Sequence, residues 1–111
     1  MKYILTVLAV LMMVTTANAK PNAMQIREYC SDISSIAHSY MGIRQYGMSI
    51  NKAIKRIDED LVDGSAQQDM LHAILIDAFS RPAYQTEKYR KEAMVNFESE
   101  YYVACAASLL N

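Results

Sequence analysis

From Pro21 onward the apolar positions recur at steps of three and four, the period of an amphipathic helix, with no sustained alternation at a step of two. Pro21, Gly42, Gly47, Gly64 and Pro82 divide this stretch into four helical segments. The first opens at Pro21, a residue tolerated in a first helical turn, and follows a stripe of Ile26, Cys30, Ile33, Ala37 and Tyr40. Tyr29, Ile36 and Ile43 widen it, while Ser31, Ser34, Ser35 and His38 fall on the other side. Gly47 is the expected stop, because glycine adopts the left-handed conformation that closes many helices. The second segment follows Ser49, a good N-cap, with Ile50, Ala53, Ile54, Ile57 and Leu61 in its stripe. Asp58, Asp60 and Asp63 oppose the helix dipole at its end, so it is expected to fray before Gly64.

The third segment opens on Ser65-Ala66-Gln67-Gln68, a capping-box pattern. Met70, Leu71, Ile74, Leu75, Ala78 and Phe79 form its apolar face. Ala73 and Ile76 carry apolar character almost all round, which predicts the most buried helix of the four. Pro82 ends it. The fourth begins near Thr86, and its stripe is Ala93, Met94, Phe97, Tyr101, Ala104 and Cys105.

Residues 1–19 have a different character. A basic Lys2, an apolar run over Tyr3–Val14 and the small-x-small site Ala17-Asn18-Ala19 make the three parts of a secretory signal peptide. The run is short for a membrane span, which takes about 20 apolar residues. The mature chain is then Lys20–Asn111, one small domain of 92 residues with ten basic and twelve acidic side chains. A formal charge of −2 argues against nucleic acid or an anionic membrane as main partner, since both need a clustered positive field.

Export changes how the two cysteines are read. Cys30 and Cys105, an even pair in an exported chain, are expected to form a disulfide. Cys30 lies near the start of the first helix and Cys105 near the end of the last, so the bond sets those helices side by side and antiparallel. The predicted fold is all-α: an up-down four-helix bundle with both termini at one end, or a rearranged bundle with a short second helix. A loop of about 75 residues closed this way is worth about 4.5 kcal/mol in chain entropy.

Candidate chemistry is sparse. Arg44 lies about 20° from Ile33 and about 40° from Tyr40 around the first helix, inside the apolar stripe. Its stem can cover the end of the core while the guanidinium bonds the helix's last carbonyls or a carboxylate from Asp77, Glu87 or Glu92. The alternative is a binding anchor, a role in which arginine is enriched. His38 and His72 stand on polar sides of different helices, with no cysteine or acid at metal-ligand spacing. Ser34 or Ser35 with His38 suggests a hydroxyl–imidazole pair, but neither an orienting third group nor a pocket is visible. Asp58–Gly64 resembles a calcium loop superficially and fails where Val62 replaces a required oxygen ligand. No metal or cofactor is expected. Of seven tyrosines after the leader, Tyr40 and Tyr101 belong to the core, and Tyr46, Tyr84 and Tyr102 are candidates for a partner surface.

Cys30, Arg44-x-x-Gly47, Pro82, Phe97, Tyr101 and Cys105 together resemble the small uncharacterised exported proteins of Gram-negative bacteria and their phages. The resemblance implies a periplasmic location and a helical fold with a single disulfide, and no activity. Periplasmic acid-stress chaperones, and phage proteins that inhibit a lysozyme or block superinfection, are similar in build only. The expectation is an exported, non-enzymatic domain that binds another protein in the periplasm. The alternatives are an acid-stress holdase and an inhibitor of a cell-wall lytic enzyme.

Overall fold

The computed structural model describes residues 20–61 and 64–110. The proposed signal peptide, residues 1–19, lies outside them, as do Val62 and Asp63. Four helices follow one another: α1 (Ala23–Gln45), α2 (Ile50–Asp60), α3 (Ala66–Phe79) and α4 (Glu87–Leu110).

Local chemistry accounts for each boundary. Asn22, not Pro21, begins α1: its side chain accepts from the Gln25 amide at 2.9 Å while Gln25 Oε1 accepts from the Asn22 amide at 3.0 Å. This reciprocal capping box leaves Pro21 just outside the helix. At the other end Gly47 adopts φ +88°, and the Met48 amide reaches back to the Ile43 carbonyl at 3.3 Å, the six-to-one bond of a Schellman stop. Ser49 caps α2 through the Lys52 amide, and Ser65 caps α3 through the Gln68 amide. Thr86 Oγ1 accepts from the Tyr89 amide at the start of α4. The acidic end of α2 stops at Asp60, and Leu61 is already extended.

Contacts along the helices fix their directions. Cys30 meets Cys105, His38 meets Glu98, and Tyr46 meets Glu87, so α1 and α4 run antiparallel in unbroken register. The cysteines form the expected disulfide, with Cα atoms 5.6 Å apart. Near the end of α1, a Cβ on Gly42 would lie 2.9 Å from Met94 Cε, so the tip of this flexible side chain from α4 packs directly on the glycine. α3 runs parallel to α1, with Tyr29 beside Met70 at one end and Arg44 beside Arg81 at the other. α2 folds back antiparallel onto α3.

Two apolar clusters sit on either side of α3. Ile33, Ala37 and Met41 of α1, Ile74 and Ala78 of α3, and Phe97 of α4 make the main core. Ala53 and Ile57 of α2 pack with Leu75 in a second. The bundle is therefore three helices around one core, with the eleven-residue α2 attached to the flank of α3. Helix α3 is not buried all round. It is covered on two sides, while Ala73 and Ile76 face outward. Ser34, expected on the polar side, is instead buried and donates to the Ser31 carbonyl at 3.0 Å.

Candidate functional site

The last two residues of α1 and its C-cap, Tyr46, hold the connection between α3 and α4. Arg44 is half-buried; its Nε donates to the Arg81 carbonyl at 2.9 Å and its guanidinium stacks 5.5 Å from the Phe79 ring centre. It bonds none of the three expected carboxylates, nor the last carbonyls of its own helix, but a carbonyl just past the end of α3. Asp77 is engaged by Arg81 and Tyr101, and Glu87 by Tyr46. Beside it, Gln45 is buried and reads the same connection twice. Its Nε2 donates to the Pro82 carbonyl at 2.8 Å, and its Oε1 accepts from the Tyr84 amide at 2.8 Å. In the sequence Gln45 leaves a single mark, a polar residue at the end of an apolar stripe.

Tyr46 completes the strip. Its hydroxyl donates to Glu87 Oε1 at 2.6 Å, a bond that raises its phenol above the ordinary value. Over its ring, 5.4 Å from the centre, lies the guanidinium of Arg90, whose Nε donates to the Tyr84 carbonyl at 2.9 Å. The Tyr84 and Tyr89 rings are 6.1 Å apart, and Lys88 Nζ is 5.9 Å from the Tyr89 ring. Tyr46, Tyr84 and Tyr89 are 52%, 40% and 52% exposed, values large enough for all three rings to offer contact surface around Arg90. Tyr46 and Tyr84 are thus brought together. Tyr102, expected with them, is half-buried near the opposite end of α4, and Tyr89 takes its place.

Each histidine meets a carboxylate that sequence spacing could not show. His72 Nε2 lies 2.7 Å from Asp58 Oδ1, which also accepts from Gln68 Nε2 at 2.8 Å; this polar clamp holds the acidic end of α2 against α3. His38 Nδ1 lies 3.2 Å from Glu98 Oε2, so an orienting carboxylate does exist. A hollow of about 540 Å³ lined by Ser31, Ser34, Ser35, Ser99 and Tyr102 also lies there. The nucleophile–base contact is missing: no serine hydroxyl bonds His38, and that of Ser34 is turned to the Ser31 carbonyl. Among the described residues no three metal-binding side chains converge.

Between α3 and α4 lies a further polar group. Asp77 Oδ2 accepts from the Tyr101 hydroxyl at 2.7 Å, and Oδ1 from Arg81 Nε at 3.3 Å. Arg81 also pairs with Glu100 at 3.0 Å and stacks over Phe97 at 5.1 Å. Burial alone pushes the Asp77 carboxyl up, but the bonds from Tyr101 and Arg81 and the charge of Arg81 outweigh it, leaving it below the usual carboxylate range. Burial and the bonded Asp77 push the Tyr101 phenol well above its ordinary value.

Searches of protein-family models, curated proteins and solved structures give no match to the chain. No helix among the described residues is long and apolar enough to cross a membrane. The disulfide is compatible with an oxidising, exported location.

Proposed function

We propose that the protein is an exported, non-enzymatic domain of the periplasm that binds another protein through the end of the bundle built on Tyr46, Tyr84, Tyr89 and Arg90. One observation carries this reading: three exposed tyrosines surround an arginine already held in place by a ring and a carbonyl. Tyrosine and arginine are enriched among the residues that dominate interface energetics, and tyrosine buries much surface for little loss of conformational freedom. Here the cost of ordering is reduced at Tyr46, bonded to Glu87, and at Arg90, held by that ring and by the Tyr84 carbonyl before any partner arrives.

A photoreactive amino acid at Tyr84 tests this in envelope extract. It is expected to give one discrete crosslinked product, competed by excess unlabelled protein but not by the Tyr46→Ala/Tyr84→Ala/Tyr89→Ala variant. Equal crosslinking from a control site at Lys55 on α2, or none from Tyr84, overturns the assignment.

A further inference from the structure

Resting on that reading, we infer that the partner presents a single carboxylate, from an aspartate or glutamate flanked by apolar side chains, to the guanidinium of Arg90. Arg90 is half-buried, stacked on Tyr46 and anchored through Nε to the Tyr84 carbonyl. Among the described residues its two terminal nitrogens meet no acceptor, and no carboxylate pairs with it. Arg81 in contrast bonds two carboxylates, Asp77 and Glu100. Arg90 is thus a cation whose orientation is spent on positioning, with its fork left open. Two parallel N–H groups match the two oxygens of a carboxylate, and a desolvated pair of this kind is stronger than its exposed counterpart.

The surroundings select among anions. Lys88 and Lys91 stand on the same turns of α4 as Arg90, giving this end a positive excess in a chain whose overall charge is negative. Glu87, bonded to Tyr46 and 4.0 Å from Lys91, keeps one negative charge close by. One arginine beside a glutamate suits a monoanion and disfavours a phosphate dianion, which Glu87 repels. The exposed tyrosine rings then accept the apolar residues beside the carboxylate.

The test follows the ¹⁵N resonances of the purified full protein, reading the Tyr84 and Glu87 amides and the Arg90 Nε–H. The probes are the peptides acetyl-Leu-Phe-Glu-Leu-amide and acetyl-Leu-Phe-Gln-Leu-amide, and inorganic phosphate. The acidic peptide is expected to shift these resonances saturably at millimolar concentration, at least fivefold more tightly than the neutral one. Arg90→Gln abolishes that preference, and Arg90→Lys, which keeps the charge but loses the fork, reduces it; both variants keep the wild-type melting temperature within a few degrees. Equal binding of the two peptides overturns the carboxylate and leaves the tyrosine surface standing. Phosphate binding more tightly than the acidic peptide also overturns it. If no peptide shifts the site while Tyr84 still crosslinks, this inference alone falls; if both fail, the proposed function falls with it.

Discussion

The two ends of the α1–α4 pair are tied by different chemistry. At one end Cys30 and Cys105 join the helices covalently, and the last eight residues of α4, Val103–Leu110, carry no charge. At the other, Arg44, Gln45 and Tyr46 hold the 81–87 stretch through two carbonyls, one amide and one carboxylate. The covalent tie acts on the unfolded chain by shortening its loops, so its effect does not depend on what surrounds it. The polar tie acts on the folded state by satisfying groups that packing would otherwise leave unpaired. Pro82, Ala83 and Tyr84 are exposed and bury little apolar surface, so their position depends on Gln45 and Arg44 rather than on the core. The same strip supplies Tyr46 to the proposed partner surface. Holding the connection and presenting the tyrosines are one structural task.

Breaking the covalent end has the largest expected effect. Cys30→Ser/Cys105→Ser loses up to about 4.5 kcal/mol of stability, the chain-entropy value for a 75-residue separation. A urea titration measures it, and a change under about 1 kcal/mol means that packing alone holds that end. The Tyr46–Glu87 end lies 16 residues from Cys30 along α1 and 18 from Cys105 along α4, with its own polar ties, and should keep its tyrosine contacts in whatever fraction stays folded.

Breaking the polar end costs less and changes something else. Gln45→Ala frees the Pro82 carbonyl and the Tyr84 amide at once, for a loss of about 1–3 kcal/mol, moderated because water reaches both residues. Arg44→Met keeps the apolar stem and removes one bond and one ring contact, for a loss of about 1 kcal/mol. Hydrogen exchange at the Tyr84 amide distinguishes this end from the other: Gln45→Ala accelerates it selectively, whereas loss of the disulfide does so only through global unfolding. If Arg44→Met proves the more damaging of the two, the roles assigned to these neighbours are reversed.

The same contrast explains what the sequence revealed. The four helices, the stop at Gly47, the Ser49 cap and the disulfide were legible because each depends on local residue types or on a pair with one possible partner. The acceptors of Arg44 and Gln45 were not, because a backbone carbonyl leaves no mark in a sequence. Asp58 and Glu98 were equally hidden, lying 14 and 60 residues from the histidines they meet. Tyr89 was overlooked because a surface tyrosine gains meaning only from its neighbours, and Arg90 and Tyr84 become neighbours only through the turn that Gln45 holds.

Between the two ends, the Asp77–Tyr101 bond offers the smallest and most selective perturbation. The Asp77 carboxyl is lowered in the folded protein, so its contribution is complete above the unfolded carboxylate value near pH 4 and is lost as pH falls through the folded one. The Tyr101 phenol is raised, so its contribution holds below the unfolded value near pH 10 and is lost as pH rises above it. Tyr101→Phe removes the alkaline loss and reduces the acid one, because Arg81 still bonds Asp77. Asp77 is partly open to solvent, so screening keeps the difference at pH 7 to about 1 kcal/mol or less. Melting temperatures of the two proteins are expected to converge toward pH 11 and to differ most between pH 5 and 9. Curves that stay parallel from pH 9 to 11 and below pH 5 would show that neither ionisation is linked to folding through this contact, which then contributes by packing alone.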